Sequence, residues 1–196
     1  MARSLPNIIV TGTPGTGKTT HCEVLAEKTG LKHLSVNQVV KGRECHEGWD
    51  DEYQSWIVDE DKLLDAIEDE CKAGGCMIDW HACDLFPKSW IDLVVVLRVD
   101  SAVHYDRVES EVSLEDLRLM QSLRGSPALP FLNYPEAKLQ ENIDSEIMEV
   151  LSQEARESYD EEIVVELQSN TPEEMETNIE RIEAWLKQWK EDNADR

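Results

Sequence analysis

The octet Gly12-Thr13-Pro14-Gly15-Thr16-Gly17-Lys18-Thr19 matches the pattern G-x-x-x-x-G-K-[ST] at every fixed position. Each residue type in it has a task in holding a polyphosphate. The glycines let successive backbone N–H groups turn inward around phosphate oxygens. A helix beginning just after the loop adds the positive end of its dipole. Lys18 carries a point charge to the β and γ phosphates of a nucleoside triphosphate, and the Thr19 hydroxyl is a ligand for Mg²⁺. The chemistry expected is therefore binding and use of ATP with Mg²⁺.

Two further groups suit the same reaction. Asp79 closes the apolar run Cys76-Met77-Ile78, where an acid that holds a water of the Mg²⁺ shell belongs. His81 follows two residues later, after Trp80. An unperturbed imidazole titrates near about 6.5, so His81 can orient or deprotonate an attacking water. A strand-end carboxylate that caps the next segment and a structural histidine are the plainer readings of the same two residues.

Such groups work only if elements hold them together. Asn7-Ile8-Ile9-Val10-Thr11 is a short apolar, β-branched run, expected as a buried parallel strand leading into the loop. A helix is expected from about Thr19 to Lys28, stopped by Gly30, and a second strand from Leu31 to Val36. Asn37 to Trp56 is polar and irregular and is expected as an inserted segment outside the core. Asp59 to Lys72 has an amphipathic helical pattern, with Leu63, Leu64 and Ile67 on one face. Cys76–Asp79, Leu93–Arg98 and Ile163–Leu167 are expected strands. Pro135 to Ser158 and Pro172 to Lys190 are expected helices. Strands alternating with helices predict an α/β fold with a parallel sheet, a P-loop nucleoside triphosphate hydrolase core, and ligands at the carboxyl ends of the strands.

Length and composition bound the rest. The 196 residues suffice for one domain with a full core. No apolar run is long enough to cross a bilayer, and the N-terminus lacks the apolar stretch of a signal peptide. No membrane association is expected. The five cysteines, Cys22, Cys45, Cys71, Cys76 and Cys83, form no C-x-x-C pair, and no second cluster completes a zinc site. Free thiols in a reducing compartment are expected. With 42 acidic and 19 basic residues, the net charge is −23. Such a chain repels bare RNA over most of its surface, and its macromolecular partners are expected to be basic proteins.

Taken in order, the segments Asn7 to Thr20, Val58-Asp59-Glu60-Asp61, Ile78-Asp79-Trp80-His81 and Ile91 to Arg98 resemble the adenylate kinase isoenzyme 6 family. So do Glu141 to Ile147, Tyr159, Ile163 to Leu167 and Ile182 to Trp189. This family comprises coilin-interacting nuclear ATPases of animals and their fungal counterparts in small ribosomal subunit maturation. The likeness covers nearly the whole chain outside Val108 to Leu132. It implies a single adenylate-kinase-like domain over residues 1–196, with a monophosphate-binding segment at 35–58 and a lid at 108–140. It carries Gly15, Gly17, Lys18, Thr19 and Thr20 over as ATP-binding residues, and Lys18, Asp79 and His81 as catalytic ones. Thr19, and Asp79 through water, become the Mg²⁺ residues. Lys41 and Arg43 are alternatives for touching the acceptor phosphate.

The lid departs from the family pattern. Members pass quickly from the tyrosine and arginine matched by Tyr105 and Arg107 to an arginine-led step that opens the lid. Here Leu132 stands in that arginine's place, after an unusual insertion. Arg118 or Arg124 is a substitute from within it. The resemblance implies transfer of phosphate from ATP to AMP, giving two ADP, alongside ATP hydrolysis. It also implies work on the pre-ribosomal particle and 18S rRNA processing in nucleus and cytoplasm, with a basic small-subunit ribosomal protein as partner. The alternative is an ATP-dependent ribosomal-protein assembly factor whose kinase activity is incidental.

Overall fold

The structure is a computed structural model, and it describes residues 3–50, 55–100, 103, 107 and 150–194. Five strands form one wholly parallel sheet: β1 (Ile8–Thr11), β2 (Lys32–Ser35), β5 (Cys76–Asp79), β6 (Leu93–Arg98) and β7 (Val164–Gln168). Their spatial order is β2-β5-β1-β6-β7, so β1 lies at the centre with β5 and β6 on its flanks. The α/β class and the parallel sheet read from the sequence are what the chain forms.

A parallel sheet must be covered on both faces, and the strand residues show it by their period of two. Ile9, Ile78, Val94 and Val96 enter one core. Ile8, Val10, Met77, Val95 and Leu97 enter the other. The second core is closed by α1 (Lys18–Thr29) through Cys22 and Leu25, and by α5 (Pro172–Asp192) through Ile179, Ile182 and Leu186. The first is closed by α2 (Val36–Gly42), α3 (Glu60–Ala73) and α4 (Val150–Ser158).

Local signals explain the helix ends. The Asp59 carboxylate accepts from the Lys62 N–H at 3.1 Å and caps α3. Thr171 caps α5 in the same way, with Pro172 at the first turn, where its missing N–H costs nothing. Gly30 ends α1 in the left-handed conformation.

The segment 37–56 corrects the sequence reading. It is not an irregular insertion: α2 begins at Val36, and Val36, Val39, Val40 and Cys45 are buried in the first core. A two-stranded antiparallel hairpin follows, β3 (His46–Asp50) and β4 (Ser55–Val58). The three valines are spaced for one face of so short a helix, and the polar residues between them masked the pattern. Of the expected helix over 135–158, only α4 lies within the described residues. The insertion at 108–132, with Arg118, Arg124 and Leu132, lies outside them.

Asn7 locks β1 to its surroundings. Its fully buried side chain donates to the carbonyls of Cys71 (2.6 Å) and Trp90 (2.8 Å) and accepts from the Cys76 N–H at 3.0 Å. Asn7→Leu takes the Asn7 partner from the Cys71 carbonyl and the Cys76 N–H, whereas the Trp90 carbonyl keeps its bond from Arg3 at 2.8 Å. The expected loss is about 3 kcal/mol of unfolding free energy, read by denaturant titration.

Candidate functional site

Gly12 lies where β1 ends and the loop begins. Its φ of +152° and its surroundings exclude a side chain: a Cβ would stand 2.6 Å from Thr16 Oγ1 and 2.8 Å from the Leu97 carbonyl. The loop then folds on itself. Thr16 Oγ1 donates to the Thr13 carbonyl at 2.9 Å, and Lys18 Nζ donates to the same oxygen at 2.9 Å. Gly17, at φ +88°, is the N-cap of α1 and supplies no side-chain cap. No acid occupies the first turn of α1. The start of the helix thus carries no capping side chain and no acid, and has a lysine beside it, which is the constitution of an anion site.

Thr19 and Asp79 meet although 60 residues separate them. Thr19 Oγ1 donates to Asp79 Oδ2 at 2.7 Å. The register of the sheet brings this about, since Asp79 pairs with Val10 on β1 at the mouth of the loop. Asp79 is 6% exposed. A hydroxyl and a carboxylate converging beside a phosphate cradle form an all-oxygen donor set that suits Mg²⁺. His33 Nε2 also stands 3.4 Å from Asp79 Oδ2.

His81 is exposed on the chain that leaves β5. Its ring lies tilted against that of Trp80, centroids 4.1 Å apart, and its carbonyl accepts from Thr11 Oγ1 at 2.8 Å. The backbone beside His81 is therefore tied to the end of β1, next to the loop. Thr20 is exposed in the first turn of α1, beside Thr19.

Three residues support the loop through contacts that were not legible in the sequence. Ser169, just past β7, donates to the Thr16 carbonyl at 2.9 Å. Arg107 reaches the Gly15 carbonyl at 3.4 Å and the Asn170 carbonyl at 2.9 Å. It ties the loop to the far end of the sheet and brings a second cation to it. The rule that ligands bind at the carboxyl ends of strands points to the neighbourhood of Ser169. No local signal singles out Arg107 for this contact, which spans 92 residues.

The third is His21, fully buried beneath the loop. Its Nδ1 donates to the Gly17 carbonyl at 2.9 Å, which leaves Nε2 as an acceptor with no partner among the described residues. Burial lowers its pKa most; the Gly17 contact opposes this, and the Arg107 charge adds to the lowering. The fold thus favours neutral His21, whereas the unfolded chain takes up a proton below about 6.5. Stability must then fall as pH drops through that value. Between pH 7.5 and 5.5 the wild type is expected to lose up to about 1.4 kcal/mol that His21→Gln does not lose. Paired denaturant titrations at the two pH values measure the difference.

Comparison with known proteins agrees with this geometry. A family model described as an AAA domain matches residues 8–118. The adenylate kinase isoenzyme 6 homolog of Schizosaccharomyces pombe is 46% identical, over 97% of this chain and 97% of its own. Its Saccharomyces cerevisiae counterpart is 45% identical, over 97% of this chain and 86% of its own.

The chain belongs to the adenylate kinase isoenzyme 6 family. The solved shikimate kinase from Acinetobacter baumannii, in complex with shikimate, shares the fold: TM-score 0.58 at 16% identity, covering 94% of each chain. This member of the isoenzyme 6 family is a nucleotide-kinase-like P-loop protein, an enzyme of the kinase or ATPase type. The loop from Gly12 to Thr19 and the Thr19–Asp79 pair are its candidate centre.

Proposed function

We propose that the chain is a Mg²⁺-dependent nucleoside monophosphate kinase, ATP plus AMP giving two ADP, with a parallel ATPase activity. The contact of Thr19 Oγ1 with Asp79 Oδ2 at 2.7 Å carries this reading, because it joins the loop to an acid that suits the metal of a nucleotide. Relatives named for adenylate kinase support the acceptor. Mg²⁺, held by Thr19 and by Asp79 through water, would offset charge on the phosphates when bound. The backbone of Gly15 and Gly17 and the leading N–H groups of α1 cradle those phosphates. Lys18 exchanges the Thr13 carbonyl for the β and γ oxygens, and Thr20 sits where it can support the nucleotide. Arg107, already at Gly15, is the described residue best placed to take the role of the lid arginine.

The acceptor side favours Lys41 over Arg43. Arg43 is committed to α3, contacting Glu70 at 2.6 Å and the Ala66 carbonyl, whereas Lys41 is exposed on the last turn of α2. His81 is assigned to water. His81→Ala is expected to lower ATP hydrolysis by about tenfold or more while AMP phosphorylation falls less. Equal loss of both rates would instead mark a positioning role. The test of the whole reading is ATP consumption with and without AMP, with ADP quantified. Failure of AMP to raise ADP formation overturns the kinase reading.

The net charge of −23 favours a second element of the proposal. The enzyme acts in small ribosomal subunit maturation and 18S rRNA processing, in nucleus and cytoplasm, on the pre-ribosomal particle through a basic small-subunit ribosomal protein. Bare RNA is bound weakly. Complementary charge speeds such an encounter and makes it salt-sensitive. On the alternative account the protein is an assembly factor with incidental kinase activity. Binding of a basic ribosomal protein, titrated with and without Mg-ATP at two salt concentrations, separates the two. By reciprocity, nucleotide and partner alter each other's affinity by one factor if they are coupled. Absence of binding leaves the kinase alone.

A further inference from the structure

The sheet turns a second set of donors toward α1. β2 pairs with β5 so that His33 stands opposite Met77 and Ser35 opposite Asp79. Met77 packs in the core under α1, and residues two apart on a strand share a face. His33 and Asp79 therefore both face α1, where Cys22 lies fully buried in the same layer. A thiol sulfur of Cys22, a ring nitrogen of His33 and a carboxylate oxygen of Asp79 lie within 4.8 Å of one another.

Three elements thus bring one sulfur, one imidazole nitrogen and one carboxylate oxygen to a common point. Mg²⁺ takes oxygen ligands and gains little from the first two. Zn²⁺ accepts all three types, and with three protein ligands it keeps a fourth position open. We propose that Cys22, His33 and Asp79 form a site for a single Zn²⁺-class transition-metal ion. We propose further that its occupancy shuts the nucleotide site by taking the Asp79 carboxylate from Thr19 and Mg²⁺. The second half rests on the reading of Asp79 as the Mg²⁺ acid; the first half does not.

Uptake of the ion exchanges it for the Cys22 thiol proton, which leaves to solvent, with no change of oxidation state. Burial and the charge of Asp79 push that thiol up, Lys18 opposes them, and Glu23 adds to them. Because the thiol proton must leave, uptake strengthens as pH rises, and the sulfur and imidazole donors favour a thiophilic ion over an alkaline-earth one. His33 is the accessible wall of the site, at 19% side-chain exposure against 7% for Asp79.

The test uses the full chain, free of nucleotide, titrated with Co²⁺ as a visible stand-in for Zn²⁺. One equivalent is expected to produce a thiolate-to-cobalt charge-transfer band in the near ultraviolet, lost on adding one equivalent of Zn²⁺. Cys22→Ser and Cys22→Ala are each expected to lose the band. His33→Phe, which keeps the thiol, is expected to shift the visible bands and weaken binding. Circular dichroism checks that each variant is folded. No band in the wild type overturns the site, as does a band that survives in both Cys22 variants, which would place the metal at other thiols such as Cys71 and Cys76. For the second half, Zn²⁺ is added to ATP turnover at fixed Mg²⁺. Inhibition in the wild type and its loss in Cys22→Ser, each relative to its own zinc-free rate, is the expected result. Zinc binding without inhibition overturns the second half. A normal cobalt titration in a protein that never turns over ATP would count against the kinase and leave the metal site standing.

Discussion

Lys18→Ala is expected to lower ATP turnover by about 10³-fold or more, equivalent to roughly 4 kcal/mol of transition-state stabilisation. In the structure Lys18 Nζ rests on the Thr13 carbonyl at 2.9 Å, inside the loop that would surround the phosphates. That hydrogen bond contributes only about 1 kcal/mol to folding. The variant is expected to unfold within a few degrees of the wild type. Lys18→Arg is not expected to rescue it, because a planar guanidinium does not replace a compact ammonium in a cradle of fixed size. Steady-state ATP consumption beside a thermal melt measures both halves. Undiminished turnover by a folded Lys18→Ala protein would sink the assignment of the loop.

The second large effect is expected at Asp79. Asp79→Asn keeps an oxygen to accept from Thr19 Oγ1, so the local geometry survives, but the charge that favours a divalent cation is gone. Turnover is expected to fall by about 10²-fold, with the Mg²⁺ concentration for half-maximal rate raised. A titration of rate against Mg²⁺ checks it. A loss of rate with an unchanged Mg²⁺ requirement would place Asp79 in loop support instead. The two variants should also differ in the cobalt titration. Asp79→Asn removes a proposed ligand, whereas Lys18→Ala removes a nearby cation and leaves the three donors in place.

These centres differ in how far the chain order announces them. The loop from Gly12 to Thr19 is contiguous, so each constraint on it is local: a glycine where a Cβ would strike Leu97, another where φ is +88°, a lysine and a threonine at the helix start. Asp79 was legible because an apolar strand that ends in an acid is also a local pattern, and the fold sets that acid against Thr19. The alternation of apolar runs with amphipathic helices settled the parallel sheet, since each strand had to be buried on both faces.

Contacts made by sheet register and helix crossing have no such signal. Arg107 touches Gly15, and Ser169 touches Thr16, only after β6 and β7 have been laid beside β1. The polar surroundings of Val36, Val39 and Val40 hid a helix whose apolar face is three residues wide; burial against α3 and β2 decided it. Cys22, His33 and Asp79 show the limit most plainly. Their spacing matches no metal motif, and the cysteines alone gave no zinc pattern. A parallel register that sets Ser35 opposite Asp79, with α1 lying above, brings their donor atoms within 4.8 Å. Motifs survive in sequence when one element supplies all the parts. When three elements supply one part each, only the packing of the sheet puts the parts together.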